Sequence, residues 1–202
     1  MSMADDLRQT PRYRPEQRPR EKLLTVEEFV RLGELGAYDE PGKHELWDGR
    51  VMMSPLPGGP HMDRERRITE ALVLSLDAAG LRGKFGVFNN GGLQIGEYNF
   101  RSPDIMVAPL PFDTEHRLTG DRVALVIEVS HSSLPDDLTE KRGKYAGAAV
   151  PEYWVVDVEG RQLYPFRHPK GGDYPDCEPL KAGATISPLF APQIALNVAD
   201  LV

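Results

Sequence analysis

The chain has 202 residues, of which 40% are hydrophobic and 27% charged, the balance of a globular domain long enough to bury a sizeable core. Its formal net charge of −7, from 24 Lys and Arg against 31 Asp and Glu, is not the basic footprint of a dedicated nucleic-acid binder. The single cysteine, Cys177, excludes an internal disulfide and a cysteine-based zinc site, and no apolar run approaches the roughly 20 residues that cross a bilayer.

Residues 1–22 are rich in Arg, Pro and Gln and show no apolar periodicity. They read as a disordered tail, without the apolar stretch of a secretory signal, ahead of one domain over residues 23–202. A cytoplasmic protein with no membrane partner is the expectation.

Thr25 with Glu28 three residues on forms a capping box that should open a short helix through Phe29 and Leu32. Asp48-Gly49 separates two β-prone runs and predicts a hairpin within Glu45–Met53. A Pro/Gly loop over 55–60 follows. Over 61–79, Ile68, Leu72, Leu76 and Ala79 recur at helical spacing, with Gly80 as the stop. β-Prone stretches come next at 85–89, 93–98 and 104–108, and an apolar run covers 123–130. Asp136 or Asp137 should cap a helix to about Ala149, ended by Pro151, and Tyr153–Asp157 returns as a strand turning at Gly160 into 162–166. This order implies an α/β fold, a mixed sheet with helices on its faces.

Glu128 sits inside the run Val123–Ser130, where an ionised carboxylate is costly unless it is paired or bound to a metal. Asp104 opens another apolar run after Pro103. Adjacent strands lie about 5 Å apart, so the two acids could share one Mg²⁺, or Mn²⁺ in its place. Such an ion activates water and neutralises the charge that builds on a phosphodiester during hydrolysis. A lysine two residues after the Glu often completes this arrangement, but that position is Ser130. Lys141, four residues after Asp137 on the next helix, is the substitute. Taken singly, Asp104 could cap a turn and Lys141 could be a solvated helix residue. Glu45 could equally pair with Lys43 or Arg50 across the hairpin, and His61 could merely open its helix. Tyr145, Tyr153 and Trp154 read as core, and His131 as a residue within reach of the site.

The segment Glu128-Val-Ser130, Asp137-x-x-x-Lys141-x-x-x-Tyr145 and Val150-Pro-Glu-Tyr-Trp-Val-Val-Asp157 resembles the Uma2 (DUF820) family. Pro103-Asp104, Glu45-Leu-Trp-Asp-Gly49 and His61 match the same family, and the resemblance covers residues 23–202. Ala148-Ala149-Val150 departs from it where a glycine is more usual before the valine, a matter of helix termination. The resemblance implies a PD-(D/E)XK, restriction-endonuclease-like fold, with an N-terminal helix and hairpin added to the core and the lysine moved to the helix. Together with the residues above, this reads as a Mg²⁺-dependent endonuclease, DNA being the favoured substrate and a homodimer the default assembly for a cutter of both strands. Asp104 and Glu128 would hold the metal, Lys141 would act on water, and Glu45 and His61 would assist. The alternatives are a silent nuclease-fold module that binds nucleic acid or a protein, and an enzyme acting on another phosphate ester.

Overall fold

In the computed structural model, residues 21–111 and 117–202 are described. The expected tail therefore lies outside the described residues, except for Glu21 and Lys22, which pair with Arg50 and Glu28.

Helix α1 (Val26–Glu34) begins at the capping box that Thr25 and Glu28 form. Strands β1 (Lys43–Trp47) and β2 (Arg50–Ser54) make the hairpin, its turn closed by Asp48 at φ 45° and Gly49 at φ 78°. Two consecutive positive φ angles are what a type I′ turn demands, which explains the Asp-Gly pair. A side chain at Gly49 would also meet Leu23, since a Cβ there falls 2.5 Å from Leu23 Cβ. Helix α2 (Gly59–Ala78) starts two residues before the expected position, because Pro60 fits its first turn, and ends before Gly80 at φ 68°.

Then follow β3 (Phe85–Asn89), β4 (Leu93–Gln94), β5 (Phe100–Arg101), β6 (Ile105–Pro109), β7 (Leu118–Thr119) and β8 (Leu125–Ser130). The expected strand over 93–98 is cut to two residues at Gly96, which turns at φ 71°. The helix expected over 136–149 is a composite: α3 (Leu134–Asp136), a π-helical turn (Asp137–Lys141) and α4 (Arg142–Gly147). Asp137 therefore lies within a continuing helical path and caps nothing. The chain closes with β9 (Glu152–Asp157), β10 (Gln162–Arg167), β11 (Leu180–Lys181), β12 (Thr185–Ile186), β13 (Leu196–Asn197) and α5 (Val198–Leu201).

The central sheet has six strands in the order β11-β10-β9-β8-β6-β3, parallel between β8 and β9 and antiparallel elsewhere. A second sheet, β2-β1-β5-β4-β7, carries the hairpin. Alternation along the central strands divides the core. Ile105, Val107, Ile127, Trp154 and Val156 meet α2 through Ile68, Leu72 and Leu76, while Met106, Val126, Tyr153 and Val155 meet α4 through Tyr145 and Ala146. Burying each large side chain of this kind contributes roughly 1.5–3 kcal/mol. Both faces of β8 and β9 are covered, and all six residues of each strand are buried, as a parallel pair between helical layers requires. The fold is thus the expected mixed α/β sheet flanked by helices.

Candidate active site

Glu128 lies on β8, 3% exposed, and Asp104 immediately precedes β6, 7% exposed. Ile105 pairs with Ile127 across these antiparallel strands, so one further step of the register sets Asp104 opposite Glu128. Cross-strand partners share a face, which directs both acids to the same side of one strand end. The Val129 N–H donates to Asp104 Oδ2 at 2.8 Å, and the Tyr145 hydroxyl donates to Glu128 Oε1 at 2.6 Å.

The π-helical turn brings Lys141 back over this strand end. Its Nζ stands 3.1 Å from Glu128 Oε2 and 2.7 Å from Asp137 Oδ1. Asp137 is 1% exposed and also accepts hydrogen bonds from the Ser130 and Ser133 hydroxyls. Tyr153 anchors the turn through a 3.0 Å bond from its hydroxyl to the Asp137 carbonyl. Ser130, standing where a lysine is usual, therefore serves the lysine indirectly by fixing its carboxylate partner. Burial pushes Glu128 up to about 7, an effect that Lys141 opposes and that Asp104 and Asp137 reinforce. Burial also acts against the Lys141 ammonium, but Glu128 and Asp137 outweigh it and hold the group charged, above its ordinary range.

From the other side, α2 contributes His61 and, one turn later, Glu65. His61 Nε2 lies 2.8 Å from Glu65 Oε1 and 3.4 Å from Asp104 Oδ2. Asp104, then Glu65, raise His61 to about 10 against the effect of burial, so it is an imidazolium at neutral pH. Burial favours protonated Asp104, yet His61, Lys43 at 3.7 Å and the Val129 N–H together hold it below the usual carboxylate range.

Among the described residues, His61, Glu65 and Asp104 are the one group whose ligand atoms all fall within 4.8 Å of one another. Glu65 Oε1 is buried and meets no well-aligned hydrogen-bond donor, the His61 imidazolium being its nearest counter-charge. Carboxylate oxygens with one neutral imidazole suit a divalent cation such as Mg²⁺ or Mn²⁺, so these residues fit the metal that the sequence implied once the ion displaces the His61 proton.

Glu45, His61, Asp104, Glu128 and Lys141 all line one open cavity of about 610 Å³. Asp104 keeps company with His61 and Glu65, whereas both Glu128 oxygens are turned to Tyr145 and Lys141. Glu45 pairs with neither expected cation: Lys43 goes to Asp104 and Arg50 to Glu21. Instead Glu45 accepts the Ser102 N–H at 2.7 Å and the Trp47 indole N–H at 3.2 Å, bracing the loop that delivers Asp104. His131 lines the cavity too, its ring centre 6.1 Å from that of His61. Trp154 is core, donating to Glu152, and Tyr153 is fully buried. Tyr145 belongs to both core and site. Sequence reasoning missed Glu65 and Lys43, and it read Asp137 as a helix cap and as the residue one turn before Lys141 without assigning it a role in the site. The signal for Glu65 was there, since His61 and Glu65 stand at i, i+4 on one helical face.

The family model Uma2, described as "Putative restriction endonuclease", matches residues 26–199. A crystal structure titled as a putative nuclease belonging to DUF820, from Anabaena variabilis ATCC 29413, superposes with a TM-score of 0.65 at 18% identity, covering 88% of this chain and 97% of that one. The type IIG restriction endonuclease BpuSI matches with a TM-score of 0.40 at 15% identity, over 62% of this chain and 14% of its own. No curated protein matches the chain. No helix among the described residues is long and apolar enough to cross a membrane.

Proposed function

Because the chain belongs to the Uma2 family and carries a restriction-endonuclease-like fold, we propose that its cavity is a metal-dependent nuclease site hydrolysing phosphodiester bonds, with DNA the favoured substrate. The observation that carries this reading is the convergence in one cavity of buried Asp104 and Glu128, a half-buried charged Lys141, and His61, which is paired with buried Glu65. A pure structural role does not call for so many ionised groups at one strand end, because each loses hydration on burial.

Asp104 with Glu65 and His61 would hold the ion, and Glu128 would reach it from the neighbouring strand. When bound, a divalent cation lowers the pKa of a water and offsets charge on the phosphoryl and leaving oxygens. The chain's own groups do the rest. Lys141, fixed between Glu128 and Asp137, presents an ammonium that orients the attacking water and stabilises the added negative charge. Tyr145 holds the Glu128 carboxylate in place. Glu45 fixes the Ser102 backbone, and with it the position of Asp104.

Supercoiled plasmid incubated with the purified protein tests the proposal. Nicking in Mg²⁺ or Mn²⁺, abolished by EDTA and by Asp104→Ala, is the expected result. Cleavage that persists in EDTA or in the variant overturns it. The silent-binder reading draws on the net charge of −7 and on Ser130 in place of the strand lysine, and it expects oligonucleotide retention with no cut in any metal.

A further inference from the structure

The cavity has two kinds of lining. Lys43, His61, Asp104, Glu128 and Lys141 supply charge, while Trp47, Pro55, Leu56, Pro57 and Pro60 supply apolar surface. Leu56 is 67% exposed, a large aliphatic group held out to solvent beside the site. Trp47 is held beneath the Arg101 guanidinium, which lies 3.3 Å from its ring centre, so it is a rigid part of that lining.

A duplex turns its bases inward and offers a protein mainly phosphate and sugar, so its binding depends on clustered Lys and Arg. This chain has a net charge of −7, and its apolar cavity lining offers nothing to a phosphate. The acids are also buried, at 7% and 3% exposure, so a strand that bends into the cavity reaches them more readily than a rigid double helix. An unpaired strand differs on both counts. It bends into a cavity, and its bare base faces bury apolar surface against aromatic and aliphatic groups, a contact worth roughly 1–3 kcal/mol per base on an aromatic platform. A cavity of about 610 Å³ falls in the range of roughly 300–1,000 Å³ that takes a ligand of nucleotide size.

We propose that this site accepts an unpaired nucleic-acid strand, a base beside the scissile phosphate lying against Trp47, Pro55, Leu56, Pro57 and Pro60. This inference rests on the nuclease reading above. Its occupant is a single strand, chosen over a second copy of the chain because the apolar lining is continuous with the charged cavity floor.

The test uses the full chain, a 5′-labelled single-stranded 20-mer and the same 20-mer as a blunt duplex, each in Mg²⁺ and in Mn²⁺. The single strand should be cut at least tenfold faster. Leu56→Asp, at an exposed position that does not hold the fold together, should lower single-strand kcat/KM at least fivefold. Leu74→Asp, on an equally exposed residue of α2 outside the cavity, should not. Equal or faster cutting of the duplex overturns the inference while leaving the nuclease reading intact, and so does a Leu56→Asp protein that cuts like wild type. If neither oligonucleotide is cut, the nuclease reading fails, and fluorescence anisotropy decides the platform separately. Tenfold tighter binding of the single strand, weakened by Leu56→Asp, supports it. Equal binding, or a Leu56→Asp effect confined to dimerisation in light scattering, overturns it.

Discussion

Replacing Lys141 with Met removes a cation that faces two buried carboxylates at once, Glu128 and Asp137. At an effective dielectric of about 20, its contacts of 3.1 Å with Glu128 and 2.7 Å with Asp137 correspond to roughly 5 and 6 kcal/mol of attraction. Most of that offsets the lost hydration of three ions, and the cost of breaking a buried pair by removing one partner is nearer 3–5 kcal/mol. The variant should lose about that much stability in urea denaturation, followed through the fluorescence of buried Trp154. Its pH dependence is diagnostic. Without the ammonium, burial and the neighbouring Asp104 and Asp137 carboxylates push Glu128 up unopposed by Lys141, so the folded state binds protons more tightly than the unfolded one. Stability then falls as pH rises. The deficit should be larger at pH 8 than at pH 5, and Glu128→Gln added to Lys141→Met should recover at least half of it. A variant within about 0.5 kcal/mol of wild type at pH 8, or one with equal deficits at both pH values, refutes the reasoning.

Glu128→Gln alone should keep the fold and gain up to about 3 kcal/mol at pH 8, because the buried acid, raised to about 7, costs stability as pH climbs from about 4.5 through 7; denaturation at pH 5 and 8 should show the variant's stability varying less with pH. The same variant should lose metal-dependent cleavage. Glu65→Gln should weaken Mn²⁺ binding by roughly 10- to 100-fold in isothermal titration, and affinity equal to wild type would remove Glu65 from the ligand set. Deleting residues 1–20 removes no patterned apolar residue, so the melting temperature should move by no more than about 1 °C, and a large fall would show that the segment docks on the domain.

Local chemistry made much of the fold legible. The Thr25–Glu28 box, the Asp48-Gly49 turn and the spacing of Ile68, Leu72 and Leu76 each express a rule that acts over a few residues, and each element stands where that rule puts it. What failed depends on how elements pack against one another rather than on local composition. The 93–98 stretch had strand composition, but Leu93–Gln94 pairs with β5 and β7 in the second sheet, and the chain turns at Gly96. The π-helical turn at Asp137–Lys141 has no compositional mark. It is fixed by bonds from Ser130, Ser133 and Tyr153, two of which come from other strands. At the site, an acid inside an apolar strand was visible because its burial has a physical cost. Lys43 was not, because a lysine on an exposed hairpin and one aimed at Asp104 look alike in sequence.

The central claim is that the acids around Asp104 form a divalent-metal site. Anomalous diffraction from a crystal soaked in Mn²⁺ tests it most directly. The account predicts one strong peak within coordination distance of an Asp104 carboxylate oxygen, with Glu65, His61 or Glu128 completing the ligands. A crystal that takes up Mn²⁺ elsewhere, with no peak at Asp104 and the His61–Glu65–Asp104 contacts intact, would contradict it.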